Sequence, residues 1–62
     1  MPYTTRDIPG IESDIAAREE RIEGLRTNPP AGWAPRYVTH HIEQLKEEIT
    51  KFEKIIEKIR TA

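Results

Sequence analysis

From Ile8 onward, apolar residues recur at alternating steps of three and four: Ile8, Ile11, Ile15, then Ile22 and Leu25. Arg18 stands where the alternation reserves a place for another aliphatic side chain. Beyond the middle of the chain the alternation returns unbroken as Val38, Ile42, Leu45, Ile49, Phe52, Ile56 and Ile59. A helix turns through about 100° per residue, so steps of three and four hold these side chains in one stripe, the seam of a coiled-coil-like helix. Ile55 widens the second stripe near its end. Opposite charges at helical spacing fill the outer faces, including Asp14 with Arg18, Glu23 with Arg26, Glu43 with Lys46 and Glu47 with Lys51. Such pairs are surface support worth about 0.2–0.5 kcal/mol each.

Both helices have readable ends. Asp7 is placed to act as an N-cap, with Pro9 just inside the first turn. Asn28, Pro29 and Pro30 end the first helix, because proline fixes φ and restricts the residue before it. Gly32 permits the reversal, Pro35 suits the opening turn of the second helix, and Trp33 is placed to fold back as a hydrophobic staple on Tyr37 or Val38. The pattern predicts one domain over 1–62: an arm at 1–7, a helix at 8–26, a proline-rich turn at 27–34 and a helix at 35–60.

Laid antiparallel, the two seams register as Leu25 with Val38, Ile22 with Ile42, Arg18 with Leu45, Ile15 with Ile49, Ile11 with Phe52 and Ile8 with Ile56. The two numbers of each pair add to a nearly constant total, as an αα-hairpin requires. The arm then lies beside the end of the second helix, where Tyr3 reaches toward Ile59, or swings onto a neighbouring subunit. The expected fold is all-α, an antiparallel two-helix hairpin assembling into a homo-oligomeric helical bundle.

Size supports that last step. A chain of 62 residues buries only about 60% of its unfolded surface, and two helices leave each seam residue one wet flank. Without cysteine, disulfides and thiolate metal sites are excluded, and helix packing or self-association must supply the stability. Gly10, Ala17 and Gly24 recur at sevens on the first helix, joined by Ser13 and Ala16, and offer a face on which a second backbone can approach closely. Two mid-helix glycines otherwise cost about 1 kcal/mol each relative to alanine.

Ten Lys and Arg against eleven Asp and Glu make no basic surface for duplex nucleic acid. No apolar run approaches the roughly 18 residues of a membrane span, and the N-terminus lacks the order of a signal peptide. The expected address is cytoplasmic. His40 and His41 are adjacent, about 100° apart on a helix, and cannot chelate as an i, i+4 pair does. No metal, cofactor or catalytic motif emerges: a phosphate loop, a nucleophile elbow and HExxH are all lacking, and the only serine, Ser13, lies within the first helix.

Two places keep open readings. Arg18 either snorkels out of the seam toward Asp14 and sets register, or joins guanidinium groups from neighbouring hairpins on an anion. The stretch "RTNPPAGWAPRY" is chemically sufficient as a turn. Yet Arg26, Asn28, Trp33, Arg36, Tyr37 and His40 also assemble the planar cations, amide and rings that suit stacking on a base and holding phosphate, or anchoring a protein partner.

The plan of a very short cysteine-free αα-hairpin with a proline-bearing turn and a second face for assembly resembles the phage helical-hairpin sponge proteins of the anti-CBASS and anti-Thoeris type. The likeness covers roughly residues 8–60 by pattern. That family tends to carry Tyr-Glu near the first helix and Trp-Ala in the second, whereas here the second helix reads "HHIEQLKEEITKFEKIIEKI" and the only Trp is Trp33. The resemblance implies a viral anti-defence protein of the host cytoplasm, a homo-oligomer sequestering a cyclic nucleotide or ADP-ribose-derived signal. Its ligand groups would be Tyr3 and Arg6 of the arm, Arg18, and the turn residues Arg26, Asn28, Trp33, Arg36, Tyr37 and His40. The rival expectation is a coiled-coil adaptor or inhibitor whose exposed seam captures a partner protein.

Overall fold

The computed structural model describes residues 3–61. A 3-10 turn at Thr5–Asp7 leads directly into helix α1, Ile8–Thr27, and helix α2 follows over Pro35–Thr61. The described residues contain no strand. The helices pack side by side as an antiparallel hairpin measuring 44 × 16 × 15 Å. No helix of the described residues is long and apolar enough to cross a membrane.

Local chemistry explains the ends, with one correction at Asp7. Its backbone is already helical (φ −82°, ψ −16°) and its side chain does not cap α1. The carboxylate instead turns back to accept the Thr4 amide at 2.7 Å, while the Asp7 amide donates to the Thr4 carbonyl at 2.9 Å. Asp7 therefore caps the 3-10 turn, because the chain enters α1 already coiled. At the other end the Asn28 amide donates to the Gly24 carbonyl at 2.8 Å, and the two prolines that follow block continuation. Gly32 takes φ +87°, the left-handed region in which a Cβ is strained. The Val38 amide donates to the Ala34 carbonyl at 3.1 Å in the first turn of α2.

The core falls into two clusters. Ile11, Ile56 and Ile59 form one, with Ile8, Ile15, Phe52 and Ile55 packed against it. Ile22, Leu25 and Leu45 form the other, with Trp33, Val38, Ile42 and Ile49 around them. Arg18 lies between them in sequence and is half-buried. The six core residues retain 5–8% of their exposure and no side chain is fully enclosed.

This grouping keeps four of the expected facing pairs in shared clusters, Leu25 with Val38, Ile22 with Ile42, Ile11 with Phe52 and Ile8 with Ile56, and departs from the expected register around Arg18. Leu45 packs with Ile22 and Leu25 rather than facing Arg18, Ile49 joins that same cluster rather than facing Ile15, and Ile59 enters the core with Ile11 rather than lying beside the arm. Heptad spacing permits both alignments, since sliding by three or four residues again sets apolar against apolar. Trp33 packs into the cluster holding Leu25, so the apolar stack begins before α2 does.

Candidate functional site

The turn end holds the densest group of residues able to recognise a ligand. Pro35 starts α2, which places Tyr37 and His41 four residues apart on one face, directly above the turn residue Trp33. The Trp33 ring meets Tyr37 edge-on, centroids 4.7 Å apart, and meets His41 at 5.5 Å, while Tyr37 and His41 lie nearly parallel at 6.2 Å. Trp33 and His41 are half-buried, whereas Tyr37 is 52% exposed. Quadrupolar edge-to-face contact of this kind contributes about 0.5–1.5 kcal/mol beyond area burial. The cluster thus closes the hairpin and still presents one aromatic ring to solvent.

Around it, Arg26, Asn28 and Arg36 are exposed, and so is His40. The ring that joins the cluster is that of His41, while His40 stays exposed among the candidate ligand residues. The missed signal was spacing: His41 lies at i+4 from Tyr37 and shares its face, while His40 is turned away by about 100°.

Arg18 occupies the middle of the molecule. Its Nε donates to Glu48 Oε1 at 3.2 Å, its Nη1 donates to the Asp14 backbone carbonyl at 3.1 Å, and its guanidinium stands 4.7 Å from the centre of the Phe52 ring. The expected pairing with the Asp14 carboxylate is replaced by a contact to that residue's backbone. The stem spans the gap between the two apolar clusters, and the head satisfies itself at the rim, as snorkelling describes. Ion pairs among the described residues are between helices: Arg18 with Glu48, and Arg60 with Glu12 at 3.7 Å. The charge pairs expected within each helix do not close.

Tyr3, 42% exposed, and Arg6, in the 3-10 turn, sit at the opposite end from the aromatic cluster. The 20 residues of α1 separate arm from turn by about 30 Å. One hairpin therefore does not unite the arm, the seam arginine and the turn into a single site.

Two open grooves run along the flanks. The larger, about 630 Å³, is floored by Ile15 and Ile56 and lined by Glu12, Glu19, Glu53, Glu57 and Arg60. A smaller one of about 210 Å³ lies between Arg18, Glu48, Lys51, Phe52 and Ile55. No group of three or more potential metal ligands gathers among the described residues. No family model matches this chain, and no curated protein and no solved structure matches it significantly.

Proposed function

We propose that this chain is a non-catalytic, self-associating helical-hairpin binding protein, in its most specific form a viral anti-defence sponge that sequesters a nucleotide immune signal. One observation carries the binding half of this reading: the Trp33, Tyr37 and His41 cluster leaves the Tyr37 ring half in solvent, with the exposed cations Arg26 and Arg36 close by in sequence. An exposed ring offers a stacking surface for a base, and arginine forks suit phosphate. Self-association is supported by a core in which no side chain is fully enclosed. Neighbouring copies would bring the arm residues Tyr3 and Arg6 to a site that a single hairpin holds apart.

Native mass spectrometry, alone and with a panel of cyclic oligonucleotides and cyclic ADP-ribose isomers, tests both halves. A discrete oligomer that retains a fixed number of ligands per subunit, and loses them in Tyr37→Ala and Arg36→Ala, is the expected result. An oligomer that ignores every nucleotide removes the sponge reading. A monomer at all concentrations removes self-association as well.

The half-buried Ile15, Phe52 and Ile55 on the open flanks favour a second reading, an adaptor or inhibitor whose grooves capture a partner helix. In that case the isolated chain melts broadly and sharpens only when the protein partner is added.

A further inference from the structure

The two flanks of the hairpin differ in charge. The groove over Ile15 and Ile56 is lined by four glutamates, Glu12, Glu19, Glu53 and Glu57, against one cation, Arg60, which already leans on Glu12. The groove over Phe52 and Ile55 has the opposite balance: Arg18 and Lys51 against Glu48 alone, and Glu48 is taken by Arg18. Lys58 lies one heptad beyond Lys51 on α2, outside the groove itself. Each flank thus sets half-covered apolar side chains beside charge, strongly acidic on one and with Lys51 as the uncompensated cation on the other.

The small residues of α1, Gly10, Ala17 and Gly24, lie about 80–120° around the helix from Arg18 and line neither groove. Ala17 lies two residues from Glu19, about 160° around the helix, so the row of Gly10, Ala17 and Gly24 points away from the acidic groove. A Cβ built on Gly10 or Gly24 meets nothing within 4 Å.

We infer that a second copy of this chain docks flank to flank, the acidic groove of one hairpin against the Arg18 and Lys51 side of the next. The inference rests on the self-association proposed above and specifies its geometry. Pairing like flanks would set glutamates against glutamates, which costs several kcal/mol for close like charges. Pairing unlike flanks matches charge and covers Ile15, Phe52 and Ile55 together. Because the two faces differ, the contact is heterologous. Repetition yields a closed ring if the rotation between copies closes, and a filament otherwise.

The test uses two charge reversals on exposed positions of the full chain, E53K with E57K on the acidic flank and K51E with K58E on the cationic flank, each checked for helix content by circular dichroism. Sedimentation velocity of each variant alone should show association weakened on the order of a hundredfold relative to the unmodified chain. Mixing the two variants in equal amounts should restore it, because every contact between unlike variants is again complementary. Folded variants that keep the unmodified oligomer, or a mixture that stays dissociated, overturn flank docking while leaving self-association intact. An unmodified chain that never associates overturns both. Zero-length carbodiimide crosslinking of mixed nitrogen-14 and nitrogen-15 protein gives a reading independent of the variants. Mixed-isotope links from Lys51 or Lys58 to Glu12, Glu19, Glu53 or Glu57 are expected, and their absence from a crosslinked oligomer sinks the arrangement.

Discussion

At the scale of single residues, position in the seam decides cost. Leu45 is 8% exposed and packs with Ile22 and Leu25 in the turn-side cluster. Leu45→Asp should abolish the cooperative helical transition seen by circular dichroism, since it buries an unpaired charge in a marginal domain. Ile15→Asp should be milder, because Ile15 is only half-buried at a groove edge; equal loss from both would contradict the register described here. Arg18 presents the reverse case. Its pair with Glu48 involves side chains 30% and 49% exposed, so it is worth about 0.2–1 kcal/mol. Leucine in its place would join the two apolar clusters. Arg18→Leu should raise Tm by about 4–8 °C, the equivalent of roughly 1 kcal/mol for a chain of this size. A fall in Tm would mean that the guanidinium contributes more than the bridging apolar contact does.

At the scale of elements, the turn is the part on which the rest depends. Two prolines stop α1, Gly32 reverses the chain at φ +87°, and Trp33 seals the end. Gly32→Ala has open space for its Cβ, so its penalty is backbone strain alone, about 1–2 kcal/mol. It should be visible as a lower urea midpoint with an unchanged slope. A neutral effect would show that the turn relaxes to another conformation. Much of this element was legible beforehand: the prolines, the glycine and the stapling tryptophan are local signals with fixed backbone consequences. The role of Asp7 was misread, because a capping residue looks the same in sequence whether it opens an α-helix or closes a 3-10 turn before one.

At the scale of the whole molecule, the hairpin is long, thin and poorly enclosed, its six core residues all at 5–8% exposure. Binding between copies stabilises by mass action. Tm should therefore rise with protein concentration, measurably across a hundredfold range by differential scanning calorimetry. It should fall as salt screens the opposed flanks. A Tm independent of concentration would identify a self-sufficient monomer. The candidate ligand residues divide at this same scale: the turn cluster is gathered by one chain, while Tyr3 and Arg6 stand about 30 Å away and meet it only through another copy.

The helical class, the two helices, the turn between them and the apolar stripe on each were determined by the sequence itself, because each depends on steps of three and four residues or on proline and glycine at one place. Which layer faces which was not. A heptad seam repeats itself, so Leu45 opposite Arg18 and Leu45 against Ile22 satisfy the same spacing, and the packed structure places Leu45 with Ile22 and Leu25. Glu48 as the partner of Arg18 and the unequal charge of the two flanks belong to the same level. Each depends on how one helix is rotated and slid against the other, which no residue specifies alone.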